Sequence, residues 1–182
     1  MALNAVSRSL HDVGLAAWFG GTLANAVALN AAAGHAGDAR SAGAVSNAGW
    51  DRWTPVNAAA IGAHLAGSVA QLGANRDRLK AQQGVATMSL VKTGVTVAAL
   101  AATGYSRVLG RKVSQAGAVP LADGTTPTSE TPTEIATAQK QLTALQWTVP
   151  ALTGVLVVIS ALAGEQQRPK EVLAGLTQRF SH

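Results

Sequence analysis

The chain has 182 residues, a formal net charge of +5, 48% hydrophobic and only 13% charged residues, and no cysteine. An ordinary soluble domain carries about 25% charged residues, so a water-covered globule is excluded, and the missing cysteines exclude disulfides, thiolate metal sites and Cys nucleophiles. The basic residues lie between and beside apolar segments, where they orient helices and meet anionic lipid, and nucleic acid is not an expected partner.

Aromatic residues make up 4% of the chain, so its apolar content is mostly Ala, Leu and Val, with 19 Gly. Small residues let membrane helices approach closely. The expected fold class is an all-α integral membrane protein. It is a single domain, residues 1–182, with a bundle of about four transmembrane helices and a C-terminal amphipathic helix. A span needs about 20 apolar residues at 1.5 Å rise.

The first expected span covers about 10–33, with a charge-free window from Val13 to Gly37. Arg8 is followed by Asp12, and Asn25 and Asn30 interrupt the apolar run, so this segment reads as a retained helix rather than a signal peptide. A polar loop with His35, Asp38, Arg40 and Asp51 follows. Trp50 and Trp53 read as interfacial anchors for the second span, about 54–75. That span carries Asn57, His64, Ser68, Gln71 and Asn75, a set that lipid would not tolerate, so it is expected inside the bundle or along a cavity.

Arg76 to Lys80 forms a basic turn, and the third span, about 85–107, carries one lysine, Lys92, which reads as snorkelling to the interface. The stretch 109–140 contains VPLADGTTPTSETPTE. Its Pro, Thr and Ser content predicts an exposed irregular loop. The fourth span, about 141–164, has the VLVVI centre and Pro150, which should kink it or leave a carbonyl free near Trp147. In the tail 169–182, Val172, Leu173, Leu176 and Phe180 share one face of an amphipathic helix suited to the membrane surface.

Four spans place both termini and the basic turn on one side. Arg8, Arg76, Arg78, Lys80, Arg168, Lys170 and Arg179 lie there, against Arg40, Arg52, Arg107, Arg111, Lys112 and Lys140 on the other. This small excess, with the Thr/Pro loop outside, puts both termini in the cytoplasm of a plasma-membrane protein.

Asn57, Ile61, His64, Ser68, Gln71 and Asn75 follow 4-3-4-3-4 spacing, which lines them along one stripe of a helix. His11, Trp18 and Asn25 lie seven apart on the first span, so an antiparallel pair would form a polar seam. The candidate cofactor-binding residues are therefore His64, Gln71, Asn57 and His11, for a haem, a quinone or an ion. The bland reading is interhelical hydrogen bonding. His11 starts its span while His64 sits mid-span, a depth difference of roughly 10 Å by helical rise, which argues against one haem between them. The four histidines show no metal-ligand spacing, and no catalytic motif or paired carboxylate appears. Three small-residue runs, Ala16/Gly20/Ala24, Gly62/Ala66/Ala70 and Gly94/Ala98/Ala102, are expected to pack helices closely, within the chain, between copies, or against other membrane subunits.

The segment LHDVGLAAWFGG, Leu10 to Gly21, resembles the opening helix of copper-resistance CopD-type membrane domains. The chain has fewer spans than that family and no Met- or His-rich copper pattern, so no copper site is carried over. LQWTVPALTG (Leu145 to Gly154) and GEQQRP (Gly164 to Pro169) are similar to uncharacterised four-span membrane proteins of actinobacteria, a resemblance that implies a fold and no function. The expected function is that of a non-enzymatic accessory or scaffold subunit of a larger membrane complex. The alternative is a small redox or transport protein binding haem, quinone or an ion near His64.

Overall fold

The computed structural model describes residues 2–74, 76, 83–117 and 119–165. These residues form helix α1 (Ala2–Ala24), a π-helical segment (Asn25–Leu29), a short continuation α2 (Asn30–Ala33), and the long helices α3 (Ala39–Ala74), α4 (Gln83–Gln115) and α5 (Thr133–Glu165). Among the described residues, three helical stretches are long and apolar enough to cross a membrane: Asn4–Ala33, Gly84–Gln115 and Thr133–Gly164. Helix α3 has 36 residues and so is long enough, but its polar stripe lowers its hydropathy and it is not among the three. The expected amphipathic tail, and Arg78 and Lys80 of the basic turn, lie outside the described residues.

Local chemistry sets the helix ends. Gly37, at φ +93°, supplies the left-handed turn between α2 and α3, where a side chain would be strained. Asp38 then caps α3: its Oδ1 accepts from the backbone N–H groups of Arg40 and Ser41, each at 2.9 Å, and its Oδ2 from the Ser41 hydroxyl at 2.6 Å. These satisfy donors that the first helical turn leaves open.

The packing is a fan. Helix α1 packs on both α3 and α5, and α4 packs on α5. Helices α3 and α4 thus stand at opposite ends of the row and leave space between them. Trp18, fully buried on α1, crosses the middle and donates its Nε1–H to Thr103 Oγ1 of α4 at 3.2 Å. It lies in a core with Leu15, Ala60, Ala99, Val149 and Leu156.

The close approach of α1 and α3 uses glycines other than the expected ones. A Cβ on Gly14 would stand 2.5 Å from both Ala60 O and His64 N, and one on Gly67 would stand 2.5 Å from Ser7 O. Of the runs that sequence suggested, Ala16, Gly20, Ala24, Gly62, Ala66, Ala70, Gly94 and Ala98 are exposed, and only Ala102 turns into the core. Their small size is visible in sequence, but direction depends on which stripe carries the large residues that anchor the interface.

The α4–α5 connection also departs from the expectation. Helix α4 extends to Gln115 and α5 begins at Thr133, so the loop is shorter than 109–140. It is folded inward: Val119, Leu121, Thr125 and Thr131 are buried. Asp123 organises it, accepting from the Thr125 and Thr126 N–H groups at 2.8 Å each. Leu121 N donates to Ala39 O at 2.9 Å, and Gly124 N to Asn30 O at 2.9 Å, which ties the loop to the start of α3 and to α2. Its polar composition reflects a turn satisfied by its own Asx and Thr side chains, while one leucine supplies the anchor.

Candidate functional site

Two polar features lie within the bundle. The first is the seam between α1 and α3, where the stripe predicted from sequence meets its partner. His11 and His64 are 1% and 0% exposed, and their ring centroids are 4.5 Å apart. Trp18 lies 6.0 Å from the His64 ring. His11 Nδ1 meets Asp12 Oδ1 at 2.6 Å, and His64 Nδ1 lies 3.4 Å from His11 O. With the proton on Nδ1, both rings donate to these oxygens and leave Nε2 as an unpartnered buried acceptor. Gln71 Nε2 closes the seam on Ser7 O at 3.5 Å.

His11 and His64 lie level in the bundle, with ring centroids 4.5 Å apart, rather than at different depths. Helix α1 begins at Ala2, well before the expected start, and α3 ends at Ala74. His11 and His64 are therefore about equally far from their adjacent helix ends, and antiparallel packing brings them level. Asp12, already within the expected span of about 10–33, lies inside the membrane-capable stretch Asn4–Ala33. A haem between the two rings is still unsupported, for another reason: the rings touch, and a porphyrin would need the space they fill. Among the described residues, no group of three or more His, Asp or Glu side chains gathers as metal ligands.

The second feature is a cavity of about 350 Å³ in the gap between α3 and α4. Helix α3 contributes Ser46, Asn47, Trp50, Trp53, Thr54, Asn57 and Ile61; α4 contributes Leu100, Thr103, Gly104, Arg107 and Val113; α5 contributes Leu142, Leu145, Gln146 and Val149. Gly124 and Thr125 of the loop close one end, and Thr22 of α1 lines the back. The volume falls in the ~300–1,000 Å³ range of small-molecule sites, which are mostly apolar with a few convergent polar groups.

The cavity end near the loop is held by a side-chain network. Trp50 Nε1 donates to Asn30 Oδ1 at 3.0 Å, Asn30 Nδ2 to Gln146 Oε1 at 2.6 Å, and Gln146 Nε2 to Thr125 Oγ1 at 3.4 Å. The π-helical segment inserts one extra residue per turn just before Asn30 and so helps turn that side chain inward. At the rim, Arg107 pairs with Asp51 at 3.2 Å, joining α4 to α3. Trp53 lies against Gly21 of α1, where a Cβ would overlap its indole ring.

Of the four sequence candidates, the structure brings His11, His64 and Gln71 into the α1–α3 seam, and places Asn57 apart from them on the cavity wall. Trp50 and Trp53, expected as interfacial anchors, are half-buried wall residues. Arg107 and the α5 residues escaped sequence reasoning. The one available signal was the 50-54-57-61 spacing, a helical stripe that starts at Trp50 and runs into Asn57 and Ile61.

Compared with protein-family models, with curated proteins and with solved structures, the chain shows no match.

Proposed function

We propose that this is a four-span membrane protein, both termini cytoplasmic, that holds a small lipid-soluble molecule in the cavity between α3 and α4. One observation carries the reading: the cavity of about 350 Å³ between α3 and α4 is lined mainly by apolar and aromatic side chains, with Asn57, Thr103 and Gln146 among them, which is the size and lining of a small-molecule site. Binding is favoured over catalysis because the wall presents no nucleophile with an adjacent base. The occupant sits beside Asn57 rather than His64, which moves the expected ligand site toward the loop end of α3. Helix α3 can span because its polar stripe faces α1 and the cavity, where lipid does not reach it.

A shift in stability tests this. A ligand that binds only the folded state raises the unfolding temperature. An organic extract of the native membrane should raise it for the wild type and leave Gly104→Leu unmoved. Gly104 lines the cavity and a Cβ there meets nothing within 4 Å, so leucine has space to enter. Equal shifts for both proteins would refute the reading.

A second reading, accessory subunit of a larger complex, is favoured by α4. Only 6% of its most apolar window is buried within the chain, against 28% for the other two candidate spans, and Gly94, Val97 and Ala98 face outward. It predicts co-purification with partner subunits from gently solubilised membranes; a chain that extracts as a stable monomer counts against it.

A further inference from the structure

In the seam between α1 and α3, each histidine meets a glycine of the other helix. A Cβ on Gly14 of α1 would stand 2.5 Å from His64 N and 3.1 Å from His64 Cα, and one on Gly67 of α3 would stand 2.8 Å from His11 Cα. Backbone therefore touches backbone beside both rings. The rings are 1% and 0% exposed, with centroids 4.5 Å apart, and Trp18 lies 6.0 Å from the His64 ring. Neither ring has room to swing out while the helices stay in contact.

Charge is spread unevenly over the pair. His11 Nδ1 lies 2.6 Å from Asp12 Oδ1, so an imidazolium at His11 has a counter-ion at hydrogen-bond distance. The Asp12 side chain is 58% exposed and gives the pair an outlet to the helix surface. His64 differs: its Nδ1 bonds a backbone oxygen, His11 O, at 3.4 Å, and its Nε2 is buried without a partner. The other charges that act on the pair are cations, Arg8 of α1 on His11 and Lys92 of α4 on both rings. Helix α3 has no titratable side chain besides His64 between Trp53 and Ala74, and α5, which also packs on α1, has none between Gln141 and Gly164. A first proton at His11 forms an ion pair with Asp12. A second, at His64, would set two imidazolium rings in contact, away from water, with one carboxylate to balance them.

We propose that His11 and His64 form a proton-binding site that latches α1 to α3: the seam is closed with at most one proton on the pair, and a second proton parts the helices. Separation is the available relief, because the glycine contacts hold both rings in place. Once apart, His64 takes its proton near the ordinary histidine value of about 6.5. The open seam binds the extra proton and the closed seam does not, so closure is favoured at high pH and weakens as pH falls through that value. Between pH 8 and pH 5.5 one such ring moves the balance toward the open form by about tenfold. Carboxyls, ordinarily near pH ~4, stay ionised over that range.

The chain has no cysteine, so a single introduced thiol reports alone. Ser7→Cys lies in the seam, at a position 6% exposed, and Ser9→Cys, at an exposed position of the same helix, corrects for the pH dependence of the thiol itself. Each full-length chain is held in lipid nanodiscs, and its rate of reaction with a methanethiosulfonate reagent is measured at pH 8 and pH 5.5. The ratio of the Ser7→Cys rate to the Ser9→Cys rate should rise about tenfold in acid. A sample returned to pH 8 before labelling should show the original ratio. With His64→Gln added, the ratio should change by less than about twofold. Asp12→Asn keeps an acceptor for His11 and removes the counter-charge, so with it the acid rise should exceed that of the parent. A parent ratio that does not change with pH would overturn the latch, and so would a His64→Gln chain that responds as the parent does. If His64→Gln does not fold, an Asp12→Asn response no larger than the parent's overturns the latch by itself.

Discussion

Replacing Gly67 with alanine is the sharpest probe of the α1–α3 interface. The new Cβ would stand 2.5 Å from Ser7 O and 2.8 Å from His11 Cα, and closer still to His11 N. All three are backbone atoms of α1, so no side chain can swing aside. To restore the 3.4 Å at which ordinary contact begins, the helices must separate by about 1 Å. A gap of that size forfeits roughly a quarter to a half of each dispersion contact along the seam. Overpacking of this kind costs about 1–3 kcal/mol, and rigid neighbours put it at the upper end. Alanine recovers about 1 kcal/mol of helix propensity. The net loss is then ~2 kcal/mol, or roughly thirtyfold in the folding equilibrium. Gly62→Ala on the same helix is the control: its Cβ meets nothing within 4 Å. It should be neutral or up to ~1 kcal/mol stabilising. Reversible denaturation in mixed micelles, followed by helical circular dichroism, measures both. Equal stability of the two variants within ~0.5 kcal/mol would refute the packing of α1 on α3 through Gly67.

Hydrogen bonds from the Ser41 hydroxyl, then from the backbone N–H groups of Ser41 and Arg40, hold the Asp38 carboxyl below its ordinary value of 3.8. A depressed folded value means the α3 cap stabilises fully above pH ~4 and weakens as pH falls through the folded value; a carboxyl ¹³C titration of Asp38 with a midpoint at or above 3.8 would contradict this. Leu121→Ala should detach the 116–132 loop from α3, at a cost of about 2–5 kcal/mol for a buried leucine; faster amide exchange at Leu121 and Gly124, with α5 unchanged, is the expected signature, and unchanged exchange would be the adverse one. Asp51→Asn breaks the rim pair, whose side chains are 33% and 55% exposed, and should cost under ~1 kcal/mol, shrinking further with added salt; a larger, salt-independent loss in the same denaturation assay would show that the pair is not at a wet rim.

Much of the fold was legible, and the failures have identifiable causes. Charge-free windows located the apolar stretches of α1, α4 and α5, because excluding charge from a lipid-facing surface leaves a mark on every residue of the window. The same criterion misplaced the start of α1. It set the start at about residue 10, close to Asp12, whereas the helix begins at Ala2, since one carboxylate bonded to His11 and still 58% exposed is tolerated near an end. That error in boundary became an error in depth, and the His11–His64 contact was missed for that reason alone. The stripe through Asn57, His64 and Gln71 divides between two neighbours. What periodicity could not show is that a long helix can pass from one neighbour to another: Asn57 faces the cavity while His64 faces α1. The cavity itself left no local signal. It arises because α3 and α4 pack on different neighbours, a property of topology rather than of any segment.

The first measurement is native mass spectrometry of the protein released gently from its own membrane, run beside Gly104→Leu. A single small neutral mass on the wild-type chain, absent from the variant, is the expected result. Each protein at its own bare chain mass, with only detergent or bulk lipid attached, would contradict a ligand between α3 and α4.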